Sequence, residues 1–311
     1  MTTKLALVFP GQGSQSVGML SDLYAEFATV RQTFTEASDA LGYDLWQLVS
    51  NGPDTDLNET HRTQPALLTA SVAVYRVWLE QGGAKPDYLA GHSLGEYSAL
   101  VCAGVLSLSD AVKLVEKRGQ YMQQAVPAGT GAMSAIIGLD DAAIAKACEE
   151  AAQGEVVSPV NFNSPGQVVI AGNKAAVERA NELCKAAGAK RALPLPVSVP
   201  SHCALMLPAA EKLAADLAAL EFHPAVIPVL NNVDVSVAAD PAAMKDTLVR
   251  QLHSPVRWTE SIEWLAAQGV DTVIELGAGK VLSGLIKRIN KDLNTASVPD
   301  LVALKAALAA E

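Results

Sequence analysis

The chain is short of positive charge, has no paired-cysteine spacing and contains no long apolar run, and each shortage removes a class of protein. Lys and Arg number 23 against 33 Asp and Glu, a formal net charge of −10. A nucleic-acid binder needs a basic face for phosphates, so nucleic acid is not expected as a partner. Local basic patches for a small anionic substrate stay open. The four cysteines, Cys102, Cys148, Cys184 and Cys203, show no C-x-x-C spacing. Neither a zinc site nor a disulfide framework is therefore indicated, and we expect no metal, reduced thiols and a cytoplasmic setting. No stretch approaches the ~20 apolar residues that cross a bilayer, so no membrane contact is expected. The run Leu5-Ala6-Leu7-Val8-Phe9 is broken at once by Pro10-Gly11. That is too short for a signal-peptide core and reads as a first buried strand. Repeats, low-complexity tracts and Ser-rich linkers are also missing.

What is present is apolar. Half of the 311 residues are hydrophobic and 18% are charged, enough for a sizeable core in one large domain or a domain with an insertion. Up to about residue 125 strands alternate with helices. The strand Lys4 to Phe9 leads through Gly11-Gln12-Gly13-Ser14-Gln15, a helix is expected over Pro65 to Leu79, and Ser109-Asp110 reads as the N-cap of an amphipathic helix from Ala111 to Ala125. This alternation implies an α/β fold with a mostly parallel sheet. After Pro127-Ala128-Gly129 the pattern changes. Strands are expected at Met133 to Leu139, Val156 to Phe162, Gln167 to Ala171 and Ala192 to Val197, with helices at Asp141 to Ala152 and Lys174 to Ala187. The order β-α-β-β-α-β is the split βαβ of a ferredoxin-like module. We therefore expect a large domain made of residues 1–127 and 199–311, and an inserted small subdomain over 128–198. Strands Val226 to Leu230 and Thr272 to Leu276 resume the larger pattern.

The most telling segment is Gly91-His92-Ser93-Leu94-Gly95, between the apolar Tyr88-Leu89-Ala90 and a helix-forming stretch from Glu96. Strand, sharp turn and helix around G-x-S-x-G is the sequence form of a nucleophile elbow. It projects a serine hydroxyl from a strained turn, and the glycines let strand and helix nearly touch. The same turn aims the Leu94 backbone N–H at a developing oxyanion. A serine nucleophile needs a base. Of His61, His92, His202, His223 and His253, His92 adjoins the serine but should point away from it. His202 follows Pro200-Ser201, where the insert re-enters the large domain and a helix begins. It is the preferred base, since clefts between such units hold ligands and a helix N-terminus disfavours imidazolium.

Arg118 is the unexpected charge. It falls on the stripe of Ala111, Val115 and Met122 rather than with Lys113 and Lys117. Two readings stand: a snorkelling arginine, or a guanidinium turned to the cleft to bind a substrate carboxylate through two hydrogen bonds. Gly11-Gln12-Gly13 lacks the third glycine of a dinucleotide loop, and could instead supply a second oxyanion N–H from Gln12. Gly277-Ala278-Gly279-Lys280 reads as a packed strand–helix turn, and Cys203 as a small buried side chain. No carboxylate stands out as a third triad member, so the base could be oriented by a backbone carbonyl.

Taken together, these residues resemble the malonyl-CoA:acyl carrier protein transacylases of bacterial fatty-acid synthesis. The matching stretches include Phe9-Pro10-Gly11-Gln12-Gly13-Ser14-Gln15, Gly91-His92-Ser93-Leu94-Gly95-Glu96 and Lys117-Arg118-Gly119. Val160-Asn161-Phe162-Asn163-Ser164-Pro165, Val199-Pro200-Ser201-His202 and Val249-Arg250-Gln251-Leu252 extend them over nearly the whole chain. The resemblance implies an α/β-hydrolase-like core with the ferredoxin-like insert and the active site between them. It implies Ser93 as nucleophile, His202 as base, the Gln251 carbonyl orienting that base, Leu94 and Gln12 as oxyanion donors, and Arg118 holding the malonyl carboxylate. It implies malonyl-CoA and holo acyl carrier protein as partners, the thioester being a substrate and no cofactor being needed. Ala278 departs from the Gly-Pro-Gly frequent in the family, at a structural turn. The basic residues Lys190, Arg191, Lys280, Lys287 and Arg288 are expected beside the cleft, for CoA phosphates or the acidic carrier protein. A serine thioesterase or esterase of the α/β-hydrolase type shares the elbow and is the alternative.

Overall fold

The apolar runs bounded by glycine and proline form the strands of two separate sheets in the computed structural model, which describes residues 3–197 and 199–311. The chain starts with β1 (Leu5–Phe9), α1 (Ser21–Glu26), α2 (Ala28–Leu41), α3 (Leu45–Asn51), α4 (Asp54–Leu57) and the long α5 (Thr60–Glu80). Then come β2 (Tyr88–Gly91), α6 (Gly95–Cys102) and α7 (Leu108–Ala125). The next stretch is β3 (Gly131–Ile137), α8 (Asp141–Ala152), β4 (Val157–Ser164), β5 (Gln167–Asn173), α9 (Lys174–Ala186) and β6 (Arg191–Pro194). The chain returns through α10 (Leu207–Ala219), β7 (Val229–Leu230), α11 (Pro241–Gln251) and α12 (Trp258–Ala267). It ends with β8 (Thr272–Leu276), α13 (Val281–Ile289), β9 (Asn294–Val298) and α14 (Leu301–Ala309).

The first sheet has the order β7-β2-β1-β8-β9 and is parallel throughout. All of β1 is buried, as a central strand covered on both faces must be. Leu5, Leu7 and Phe9 point into the larger core, and Ala6 and Val8 into a second core with Val256, Trp258 and Ile286. The second sheet is antiparallel with the order β4-β5-β3-β6. Along β5 the faces alternate. Val168 and Ile170 pack under α8 and α9, while Val169 and Ala171 pack with Met133, Val160 and Cys203 on the opposite side. The fold is thus mixed α/β, with a parallel sheet and a smaller antiparallel sheet built from the β-α-β-β-α-β stretch. The expected boundary at Ser198 lies outside the described residues.

Several element bounds differ from the sequence reading, each for a local reason. The helix expected to start at Pro65 starts at Thr60 and carries Pro65 inside it. Gly119 of α7 lets that extra turn pack closely, for a Cβ there would lie 2.6 Å from the His61 Cα. Helix α7 is capped by Ser107, not Ser109. The Ser107 side chain accepts from the Asp110 N–H, the S-x-x-D spacing of a capping box, two residues before Ser109. The expected strand Val226 to Leu230 shrinks to Val229–Leu230, with Val226 79% exposed. Strand β9 was not expected. It is an edge strand reading NTASV, with only Val298 buried, so it lacks the apolar run that marks its neighbours.

Helix contacts and strand contacts together fix where the smaller sheet sits. The Phe162 N–H donates to the Val256 carbonyl at 3.0 Å, and the Val256 N–H donates to the Val160 carbonyl at 2.8 Å. The Thr259 hydroxyl adds a bond to the Phe162 carbonyl at 3.1 Å. These ties hold β4 against the segment between α11 and α12. Replacing Gly119 by Ala tests the close α5–α7 crossing. Ala gains ~1 kcal/mol of helix propensity, but a forced contact with backbone costs more, so we expect a net loss of about 1–2 kcal/mol. Urea denaturation measures it, and a net gain in stability would show that the crossing is not tight.

Candidate active site

The elbow is made by steric necessity. An added Cβ at Gly91 would lie 1.9 Å from the Gly95 backbone carbon, and one at Gly95 would lie 2.1 Å from the Phe9 carbonyl oxygen. At Gly11 it would meet the His92 oxygen at 2.5 Å. Strands β1 and β2, the start of α6 and the loop after β1 therefore converge where side chains are missing. Ser93 takes φ 53° at the tip, a left-handed conformation that costs a non-glycine residue about 1–3 kcal/mol. Asn232, just after β7, holds it there. Its Oδ1 accepts the Ser93 N–H at 2.8 Å and its Nδ2 donates to the Gly91 carbonyl at 2.7 Å.

Ser93 Oγ lies 2.7 Å from His202 Nε2, and His202 Nδ1 lies 2.7 Å from the Gln251 carbonyl oxygen. A carbonyl only accepts, so Nδ1 carries the proton and Nε2 is the lone pair facing the serine. His202 is itself at φ 64°, and its N–H donates to the Leu252 carbonyl at 3.1 Å. Burial pushes its pKa down to about 3, helped by the Arg118 cation and by His92, against the Gln251 carbonyl. The imidazole is neutral at pH 7. His92 points the other way, with Nε2 donating to Asn163 Oδ1 of β4 at 2.8 Å and its ring 5.4 Å from Trp258.

Arg118 is only 1% exposed. Its two terminal nitrogens donate to Gln64 Oε1 at 2.7 Å and to Gln251 Oε1 at 3.0 Å. Both acceptors are neutral, and Nε has no partner among the described residues. Burial lowers the pKa of this guanidinium, with Tyr97 and Glu96 acting the other way. Its centre sits 5.3 Å from the Tyr97 ring centroid. Glu96 lies one amide away: Gln251 Nε2 donates to Glu96 Oε2 at 2.7 Å and to the Ser93 carbonyl at 3.0 Å. Burial raises the Glu96 pKa to about 7, against hydrogen bonds from Gln251 and Asn232 and the Arg118 charge.

These groups share one cleft of about 910 Å³. Gln12, Ser93, Leu94, Arg118 and His202 line one side, and Met133, Asn161, Leu195, Pro196 and Val197 from the smaller-sheet segment line the other. The Ser93 N–H is taken by Asn232. Among the described residues the Leu94 and Gln12 N–H groups donate to nothing, and both residues border the space in front of Ser93. Gln64, Asn232 and Glu96 were not singled out by the sequence reading. Only Glu96 carried a signal, as the last residue of the Gly91 to Glu96 stretch that resembles the family. The five basic residues expected beside the cleft do not line it. Lys190 is exposed, Arg191 pairs with Ile137 at the end of β3 remote from Met133, Lys280 is exposed at the N-cap of α13, and Lys287 and Arg288 are exposed on that helix. Cys203 is buried with its thiol on the Pro200 carbonyl, and burial raises its pKa to about 11. Gly277 and Ala278 pack the β8–α13 turn, a Cβ at Gly277 falling 2.6 Å from the Ser71 hydroxyl. No helix is long and apolar enough to cross a membrane among the described residues, and none of their acidic, His or Cys side chains cluster as a metal site.

Comparison with known proteins gives a consistent picture. The model of the acyl transferase domain family matches residues 6–304. A malonyl CoA-acyl carrier protein transacylase of Escherichia coli K12 is 66% identical over 306 residues, covering 98% of this chain and 99% of that protein. An acyl carrier protein S-malonyltransferase of Vibrio cholerae, known from its crystal structure, is 69% identical, with a TM-score of 0.96 over 98% of this chain and 99% of that one. A malonyl-transacylase solved in complex with its type II PKS acyl-carrier protein is 61% identical, with a TM-score of 0.98 over 99% of this chain and all of that one.

The depressed basicity of His202 has a kinetic signature. An ordinary histidine loses half its base form near pH 6.5, whereas one near 3 stays neutral throughout pH 5–8. At sub-saturating malonyl-CoA, where the groups of the free enzyme set the pH profile, acylation of Ser93 should therefore keep more than half its pH 7.5 rate at pH 5.5. Glu96 gains a proton in that interval, but its second oxygen still accepts from Gln251. A rapid-quench rate that falls with a midpoint near 6.5 would contradict this environment for His202.

Proposed function

This chain belongs to the malonyl-CoA:acyl carrier protein transacylases of the acyl transferase domain family, and from that premise we propose how its own residues carry the reaction. The enzyme moves a malonyl group from CoA to the phosphopantetheine thiol of acyl carrier protein, the step that supplies fatty-acid synthesis. Ser93 attacks the malonyl thioester while His202 Nε2 takes its proton. Leu94 and Gln12 donate their free N–H groups to the oxyanion, a stabilisation typically worth ~3–4 kcal/mol per donor. CoA leaves as a thiol and a malonyl-serine ester remains. The carrier thiol then attacks that ester, with His202 removing its proton. One thioester is consumed and another is formed, so the overall free-energy change is small and a reversible ping-pong course follows. Residues 128–198 serve as the smaller subdomain that walls the cleft against 1–127 and 199–311. Water competes poorly when that cleft is narrow. The reaction needs no metal or redox group, and we place it in the cytoplasm.

The observation that carries the specificity is the buried guanidinium of Arg118 with only neutral partners. Of its five N–H donors two are taken by Gln64 and Gln251, Nε is buried, and each terminal nitrogen keeps one proton. The two free terminal N–H groups suit the two oxygens of a carboxylate. A malonyl carboxylate there also cancels the positive charge that depresses His202, so the acid-bearing acyl group makes its own base stronger. An esterase has no use for such a group, and the thioesterase alternative is not favoured.

Arg118→Ala should cut malonyl transfer by two to three powers of ten, about 3–4 kcal/mol, since the substrate carboxylate is then stranded in a buried site. Acetyl transfer should fall far less, because it loses no carboxylate partner while His202 loses its cationic neighbour. Equal losses for both acyl groups, in steady-state assays with malonyl-CoA and acetyl-CoA, would remove Arg118 from this role. Intact-protein mass spectrometry after brief exposure to malonyl-CoA should show a malonyl adduct that Ser93→Ala abolishes. Added holo carrier protein should then receive it. An adduct lost to water at one rate with or without carrier would mark a hydrolase.

A further inference from the structure

Arg118 does more than wait for an anion, because a guanidinium can only donate hydrogen bonds. Its contact at 2.7 Å therefore forces Gln64 to turn its oxygen toward Arg118 and its Nε2 toward Thr60, where it donates to Oγ1 at 2.8 Å. With that lone pair engaged, the Thr60 hydroxyl proton faces Gln12 Oε1 at 3.1 Å. Arg118, Gln64 and Thr60 are buried, so no bulk water competes for these bonds along the chain's inner part. The far end is the loop after β1 that carries the Gln12 N–H. This loop is otherwise pinned by the Gly13 N–H on Gln15 Oε1 at 2.8 Å and by Gln15 Nε2 on Asn58 Oδ1 at 2.9 Å. Of these ties, the Thr60 bond alone leads back to Arg118.

We propose that Thr60 is a positioning residue that locks the Gln12 loop, and with it the second oxyanion donor, to the Arg118 carboxylate site through Gln64. The inference rests on the roles given above to Gln12 and Arg118. One guanidinium thus orders both halves of the cleft. Through Gln251 Oε1 it orients the amide that donates to the Ser93 carbonyl and to Glu96. Through Gln64 and Thr60 it fixes the loop facing the serine. A carboxylate taking the two remaining Arg118 protons leaves both relays in place, so the donor geometry is set before the acyl group arrives.

Thr60→Val keeps the side-chain shape and removes the hydroxyl, and Thr60→Ser keeps the hydroxyl and removes a methyl. One neutral hydrogen bond is worth about three- to tenfold in rate when it acts only in the transition state. We expect Thr60→Val to slow malonyl-serine formation by about that factor, read by rapid-quench mass spectrometry, with KM for malonyl-CoA within twofold. Thr60→Ser should return to within twofold of the parent rate. Gln12→Leu removes the other end of the same bond from an exposed side chain, so it decides the question if Thr60→Val melts early. The double variant should be no slower than the slower single one. An unchanged acylation rate, a loss confined to KM, a failure of Thr60→Ser to rescue, or additive single effects would each overturn the proposal. If the parent enzyme forms no malonyl-serine at all, the functional reading itself fails, and that result is separate from any of these.

Discussion

The cleft depends on one steric constraint: backbone passes through space that side chains would occupy at Gly11, Gly91 and Gly95. Strand β2 can turn into α6 within five residues only because neither glycine carries a Cβ. The loop after β1 can then lie against the His92 carbonyl. From this close approach follow the left-handed Ser93, the Leu94 N–H at the start of α6, and the Gln12 N–H opposite it. The strain at Ser93 and at His202 is held by specific bonds, to Asn232 in one case and to the Leu252 carbonyl in the other. Strained residues held by surrounding structure are a common feature of reactive sites.

The second organising interaction is electrostatic. Arg118, His202 and Glu96 are all buried around the single side chain and carbonyl of Gln251. Gln251 serves each differently: its carbonyl orients the imidazole, its amide oxygen meets the guanidinium, and its amide nitrogen meets the carboxyl. Burial alone would push Arg118 toward losing its proton, His202 toward neutrality and Glu96 toward protonation, and the three shifts have these directions. A neutral imidazole beside a cation is a weak base. In the proposed reaction the substrate's own carboxylate relieves that weakness, which ties acyl selection to chemistry as well as to binding.

The smaller sheet contributes a wall rather than reacting groups. Met133, Asn161 and the segment from Leu195 to Val197 close the side of the cleft facing Ser93. Bonds from β4 to Val256 and Thr259, and from His92 to Asn163, fix the width of the space between the two sheets. A fixed, partly dry cleft favours a thiol held in place over diffusing water as acceptor.

Much of this was legible in the linear order of residues. Apolar strands alternating with helices marked the parallel sheet, the β-α-β-β-α-β order marked the smaller one, and G-x-S-x-G marked the elbow, because these patterns arise from local backbone geometry and from which face of an element is buried. The stripe position of Arg118 on α7 marked a buried charge for the same reason. Local patterns failed where contact overrode them. Helix α5 begins before Pro65 because Gly119 offers it a place to pack, and β9 forms from polar residues because β8 supplies an edge. The distances among Ser93, His202 and Gln251, separated by 109 and 49 positions, are decided by the closing of the fold. So are the partners of Gln64, Thr60 and Asn232, whose amides and hydroxyl look like ordinary polar residues until folding buries them, Gln64 and Thr60 between Arg118 and Gln12 and Asn232 behind Ser93. A residue's chemistry is written in its side chain, but its partners are chosen by tertiary packing, which no one-dimensional spacing contains.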